Sequence, residues 1–399
     1  MPIDTHKKRT RKKTKQRNMK YIATLALGLL IAANAQAQNN DKLVIKPSGR
    51  ILFDGAMYKA NTDKELFNSG MAIPDARVGF SAKTGKWSAK LDVGYAYGKV
   101  GMKDVFIEHH FDTKNSLRAG YYIHQFGAQY STSSSYKISM EEPRSNEVFN
   151  NPRMIGLMYV HNGSQFLGTA SVFTESEAMK LSSDKIGNSA IGAMSRLVYR
   201  PYTQTGKILQ VGVSGAYLSP RYNADEKLKH KSYIFSTAWP TRVAKVTALK
   251  ATVTDAEALF KFTPELVAAY GRLGIETQYY YAAATRSNSL NTYHASGAYC
   301  SLRGIIKGND YKYTSFSGGI DTPDAGSAEV VLAYDYTDLS DSKAGIFGGR
   351  SNDWSATFNY YINKNTIWRL RASYTKTENC AETKNNELGI IETRLQFKF

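Results

Sequence analysis

ELGIIETRLQFKF, Glu387 to Phe399, closes the chain with a strict two-residue alternation. Gly389, Ile391, Thr393, Leu395, Phe397 and Phe399 fall on one side, and Ile390, Glu392, Arg394, Gln396 and Lys398 on the other. Successive side chains of a strand point to opposite faces, so this is a ribbon with one apolar and one mostly charged side. A soluble sheet would turn its apolar side to a core. A membrane barrel turns that side to hydrocarbon and the charged side to a wet lumen.

The same pattern recurs along the chain. Arg50 to Tyr58 sets Ile51, Phe53, Gly55 and Met57 against Arg50 and Asp54. Trp87 to Tyr97 sets Trp87, Ala89, Leu91, Val93, Tyr95 and Tyr97 against Ser88, Lys90 and Asp92. Further alternating runs include Val105–Phe111 and Leu117–Ile123 around a turn at 112–115, then Gln165–Phe173, Ile208–Tyr217, Tyr293–Leu302 and Ile367–Tyr374. Runs at Tyr233–Thr237, around Arg242–Leu249 and at Tyr311–Phe316 are read as strands too, and Thr254–Phe262 as a short loop helix. Bacterial single-chain barrels have even strand numbers, and the pattern predicts an all-β, transmembrane antiparallel β-barrel of sixteen strands. Gln125 to Arg153 breaks the rhythm with a Ser-rich stretch. Structureless loops of that length usually have a task, here a third loop folded into the lumen as a constriction. Short turns are expected at 85–86, 162–163 and 363–365, and long loops at 182–189, 219–231 and 375–386.

The N-terminus reads as an export signal. Met19-Lys20 supplies charge, Tyr21 to Ala33 an apolar run too short to span a bilayer as a helix, and Ala35-Gln36-Ala37 a small-x-small cleavage site. The basic run before it (Lys7 to Arg17) is an extended n-region, or Met19 is the start of translation; nucleic-acid binding is the weaker reading. Residues 1–37 are assigned to this extension and signal, 38–48 to a periplasmic linker and 49–399 to the barrel. Nine of the 52 Lys/Arg and one of the 34 Asp/Glu lie in residues 1–37, which leaves 43 bases against 33 acids and a net +10. That excess favours anionic partners. The 27 Tyr suit strands and membrane–water interfaces. Cys300 and Cys380 are free thiols or one bridge, which spacing does not settle.

With this export signal in front, a chain ending on Phe399 resembles bacterial outer-membrane barrels, whose final strand is read by the assembly machinery. Longer stretches resemble the phosphate-selective porin family of the O/P type. They are ARVGFSAKTGKWSAKLDV (Ala76–Val93), KDVFIEHHF (Lys103–Phe111), LRAGYYIHQFG (Leu117–Gly127), FTPELVAAYGRLGIETQYYYA (Phe262–Ala282) and GGRSNDWSATFNYYINKNTIWRLRASYTK (Gly348–Lys376). The resemblance implies a sixteen-stranded barrel, a homotrimer, an inward-folded third loop and a basic channel passing small anions of the phosphate or polyphosphate type. Two positions depart from it. Pro74-Asp75 stands where the family often has two arginines, and Ile123 where it has a basic residue, so phosphate preference transfers less firmly than fold.

Strand parity turns Arg50, Arg77, Lys90, Arg118, Arg196, Arg369, Arg371, Arg394 and Lys398 inward, and Arg144 and Arg153 lie in the long loop. A Lys/Arg facing lipid at mid-membrane costs about 2–4 kcal/mol, so energetics agree with parity. These residues are the candidate pore-lining, anion-binding set, with Glu141 and Glu142 as partners for Arg144 and Arg153. Two readings of the basic face remain: a selective anion path, or bracing of a wide lumen through inward acids such as Asp54, Asp92, Glu276, Glu329 and Glu392. A non-selective or sugar-permeable porin and an adhesive barrel with a blocked lumen are the alternatives. No cofactor or metal is expected. His109-His110 are adjacent and point to opposite faces, and no nucleophile elbow or P-loop is present, which argues against an enzyme.

Overall fold

The computed structural model describes residues 42–133, 136–174, 191–220, 231–315 and 317–399. The export segment, the predicted loop at 182–189 and most of that at 219–231 lie outside them. The first nine wall strands are β1 (Val44–Ala60), β2 (Gly70–Thr84), β3 (Trp87–Ala96), β4 (Lys99–His110), β5 (Asn115–Tyr122), β6 (Met154–Asn162), β7 (Phe166–Thr174), β8 (Ile191–Gln204) and β9 (Lys207–Leu218). A separate hairpin follows, β10 (Ser232–Ala238) and β11 (Thr247–Thr254). The wall resumes with β12 (Ala256–Tyr270), β13 (Leu273–Arg286) and β14 (Tyr293–Lys307). After the two-residue strands β15 (Tyr313–Thr314) and β16 (Gly319–Ile320), it ends with β17 (Ala328–Asp341), β18 (Ile346–Tyr360), β19 (Thr366–Cys380) and β20 (Asn386–Lys398). Among the described residues, sixteen antiparallel strands close one barrel, leaving no edge for lipid to meet.

The terminal strand tests the alternation directly. Leu395 and Phe397 are 47% and 45% exposed on the outside, whereas Arg394 and Gln396 are 3% and 2% exposed. Closure runs through the same strand: β1 pairs with β20 so that Arg50 faces Lys398 and Asp54 faces Arg394. Gly49 N–H donates to the Phe399 carbonyl at 3.0 Å, and Phe399 N–H returns the bond at 3.1 Å. A Cβ on Gly49 would run into the Phe399 ring, so glycine lets the terminal aromatic lie across the seam.

Several predicted boundaries change. β1 begins at Val44, five residues before the barrel start placed at 49, because Val44 to Ser48 pair with Gly79 to Lys83. β12 is continuous from Ala256, so Thr254–Phe262 is not a helix; β9 and β13 satisfy its backbone on both sides. β3 stops at Ala96, where Tyr97 and Gly98 take φ of 50° and 76° and turn the chain in two residues. The loop predicted at 375–386 shrinks to 381–385, since β19 runs on to Cys380.

Three alternating runs are not wall strands. Tyr233–Thr237 falls in β10, Arg242–Leu249 spans an irregular approach to β11, and the described part of the run Tyr311–Phe316, residues 311–315, holds only β15. The β10–β11 hairpin packs instead against β17, β18 and β19. Leu249, Ala251 and Val253 are buried there with Phe149, Tyr280 and Tyr293 in one apolar cluster. Alternation marks any strand with one buried face, whether lipid or protein covers it. Cys300 and Cys380 are free thiols.

Candidate functional site

Inward-facing side chains of β1 to β5, with the segment 123–153 and the end of β20, surround an open cavity of about 490 Å3. Its basic lining is Arg50, Arg77, Lys90, Arg118, Lys137, Arg153, Arg242 and Lys398; its acidic lining is Asp92, Asp104 and Glu142. Phe106, Tyr122, Tyr130 and Tyr136 add aromatic surface. The strands hold these groups at fixed height because each alternates out of the sheet with an apolar neighbour facing outward.

Most of the cations are tethered. Arg50 donates to Asp75, and Arg77 Nε lies 3.0 Å from the same carboxylate. Lys90 Nζ is 2.9 Å from Asp92 and 3.5 Å from Asp104, which also accepts from Arg153 at 2.7 Å. Arg118 pairs with Glu108 at 2.9 Å and lies 4.1 Å over the Phe106 ring. Lys398 has no carboxylate within ion-pair distance among the described residues, and its ammonium sits 3.9 Å over Tyr136. Six of the predicted residues, Arg50, Arg77, Lys90, Arg118, Arg153 and Lys398, thus meet along one side of the lumen.

The other five face inward without lining this cavity. Arg144 donates to Glu147 at 2.7 Å and to the Ala238 carbonyl at 2.9 Å. Arg196, fully buried, grips Glu265 with two bonds of 3.0 and 2.6 Å. Arg371 bridges Glu392 and Asp353 and donates to the Pro240 carbonyl. Arg394 makes a two-point bond to Asp54 and a third to Glu141 at 3.0 Å. Arg369 is buried beside them. The predicted pairing of Glu141 and Glu142 with Arg144 and Arg153 is also corrected: Glu141 goes to Arg394, and Arg153 to Asp104.

Loop segments cover the far half of the inward face. Asn359 donates to the Ile138 carbonyl at 2.8 Å, Ser139 bonds Thr357, Tyr280 donates to Asn146, and Ser145 N–H donates to Asp335. The segment 123–153 therefore bonds inward-facing groups on β13, β17, β18 and β20. From the opposite rim, residues 308–315 and 317–327 lie against inward-facing groups of β8 and β9: Arg196 donates to the Ser317 carbonyl, Arg200 to that of Ser315, and Tyr313 to Gln210 at 2.6 Å. Burial in this packing pushes the Lys137 ammonium below its ordinary range, opposed by Glu142 3.4 Å away. Burial would raise Glu141, but Arg242, Arg394, Arg144 and Arg371 outweigh it and hold its carboxyl below the usual range.

Sequence reading missed Lys137, Arg242, Asp75, Asp104 and Glu108. Strand parity marks Asp104 and Glu108 as inward, on the β4 face shared with Phe106. Lys137 lies in a non-periodic stretch and Arg242 at the start of a run that is not a wall strand, so nothing local shows that either side chain turns to this cavity.

The model of the family described as phosphate-selective porin O and P matches residues 45–399. No curated relative matches the chain in sequence. Among solved structures, an anion-selective porin from Comamonas acidovorans superposes with a TM-score of 0.56 at 10% identity, covering 90% of this chain and 100% of that one. OmpT of Vibrio cholerae, in its trimer form, gives 0.56 at 12% identity, covering 90% and 99%. The outer membrane channel DcaP of Acinetobacter baumannii gives 0.55 at 9%, covering 90% and 97%. At these identities the likeness is one of fold.

Proposed function

Because this chain belongs to the phosphate-selective porin O and P family, and so is an outer-membrane channel and not an enzyme, we propose that it admits small anions by passive diffusion along the β1–β5 side of its lumen. One observation carries the reading: the open cavity is lined by eight Lys/Arg and three Asp/Glu. A wet passage with surplus fixed positive charge concentrates anions and excludes cations. Tethering by Asp75, Asp92, Asp104 and Glu108 moderates that surplus, which favours passage over tight retention. Asp75, standing where the family often has arginine, weakens the case for phosphate in particular, so phosphate and other small oxyanions or carboxylates form the solute class.

The segment 123–153 serves in this reading as the constriction, its polar groups spent on the wall and its Lys137, Glu142 and Arg153 turned to the passage. A homotrimer in outer-membrane lipid fits the trimer form described for OmpT. Phe399, held across the barrel seam, is the contact expected for the assembly machinery.

Purified full-length protein in a planar bilayer under a KCl gradient tests the proposal. The reversal potential is expected on the chloride side. Cation preference or no preference would refute anion passage, and a folded barrel without conductance would return the blocked-lumen alternative.

A further inference from the structure

On β17 to β20 a band of charge faces outward, opposite the buried Thr337, Ser351 and Thr377. It forms two adjoining cross-strand rows, Asp338–Arg350–Glu378 and Asn352–Lys376–Glu387. The next row is aromatic, Tyr334–Trp354–Tyr374, and the one beyond it is Leu332–Ala356–Ala372–Ile391. Charge facing lipid is costly at mid-membrane and nearly free at the interface, so hydrocarbon ends between the aromatic row and the charged ones. This end of the barrel also carries the long segment 123–153, which marks it as the outer-leaflet side.

The band has free donors above and a groove below. Ala356 and Ala372, between the exposed Leu332 and Ile391, leave an open apolar groove of about 670 Å3 beside the Trp354 and Tyr374 rings. Asp338 accepts from Arg350 Nε at 3.1 Å and Nη2 at 2.9 Å, which leaves Nη1 without a protein acceptor among the described residues. Tyr334 donates to Asn352 Oδ1 at 2.7 Å, so the Asn352 amide N–H groups stay available. Lys376 meets Glu378 at 2.7 Å and Glu387 only at 4.0 Å, and its side chain is 44% exposed.

We propose that this band and groove hold one phosphorylated glycolipid of the outer leaflet. Arg350, Asn352 and Lys376 bind a headgroup phosphate, and an acyl chain runs past Trp354 and Tyr374 into the groove. Guanidinium, amide and ammonium all donate to phosphate oxygens, the charged ones most strongly. Glu378 and Glu387 suit the divalent counter-ions that bridge phosphates to carboxylates, which accounts for acids interleaved with the cations. A zwitterionic phospholipid has one phosphate and needs no such ion, so it is the poorer fit. The site lies on the outside of the wall and is independent of what passes through the lumen.

The test mixes purified full-length protein, in detergent with magnesium, with bisphosphorylated lipid A or with phosphatidylethanolamine, and reads the lipid that stays bound by native mass spectrometry. Wild type is expected to retain lipid A in preference to phosphatidylethanolamine. Arg350→Gln and Lys376→Gln should each weaken lipid A binding about tenfold, the loss of one charge-assisted bond. Ala356→Phe fills the groove, leaves every charge in place and should weaken binding as well. Equal retention of the two lipids by wild type, or lipid A binding unchanged in all three variants, would overturn the site. A loss in the charge variants without one in Ala356→Phe would overturn the lipid in favour of a free anion. If Ala356→Phe instead breaks an oligomer and leaves lipid retention as it was, a second copy covers the groove and the proposal fails. Should Arg350→Gln not fold without its bond to Asp338, Lys376→Gln and Ala356→Phe carry the same comparisons.

Discussion

Asp75 sets how much positive charge the passage shows, so neutralising it is the most informative perturbation. It holds Arg50 and Arg77 together, and one carboxylate against two guanidinium groups leaves one net charge. Asp75→Asn leaves two. A monovalent ion passing roughly 6 Å away, screened as in bulk water, gains or loses about 0.7 kcal/mol from one extra charge. That is about a threefold rise for anions and about a threefold fall for cations, or about tenfold in their permeability ratio. Partial exclusion of water by the wall makes this a lower bound. The assay is the reversal potential of purified wild type and variant under one KCl gradient. Heat-modifiable gel migration would confirm that Asp75→Asn is folded. An unchanged ratio in a folded variant would refute the reasoning, because Arg50 and Arg77 would then lie off the conducting path.

Two further predictions concern the packed half of the lumen. Glu265→Gln deprives the fully buried Arg196 of its two-point partner; breaking such a pair typically costs about 3–5 kcal/mol. The temperature at which the barrel loses its folded gel mobility should fall clearly, with single-channel selectivity unchanged; an unchanged temperature would mean that water or Gln125 already supports Arg196. Glu141, whose carboxyl is held low by surrounding arginines, contributes stability that is fully present above its unfolded value and is lost as pH falls through its lower folded one. Open-channel noise should therefore rise below roughly pH 4, as the loop leaves Arg394 and Arg242. Glu141→Gln should be noisy already at neutral pH and show no further rise; a wild-type noise level flat across that range would contradict the anchor.

The fold was legible because its rule is local. In each wall strand one side must suit hydrocarbon and the other water, so Leu395 and Phe397 outward and Arg394 inward follow from three neighbouring residues. Where the rule failed, the strand was real but its cover was not lipid. The alternation of Tyr233 to Thr237 belongs to β10, whose partner β11 buries Leu249, Ala251 and Val253 against the wall and against Phe149. Periodicity records that one face is dry and is silent on what dries it. Turn chemistry was read at 85–86, whereas the two-residue reversal at Tyr97-Gly98 was hidden because tyrosine seldom adopts positive φ.

The sequence by itself determined that this chain is a closed strand wall with its arginines turned inward, since both consequences follow from alternation and from the cost of placing charge in lipid. Which of those arginines remain beside water was decided only by the tertiary structure. Arg394 finds Glu141 across 253 residues, Arg371 finds the Pro240 carbonyl across 131, and Arg196 finds Ser317 across 121. Loops that carry no period of their own choose these partners by fitting the space inside the barrel. That space exists only once the first and last strands have met.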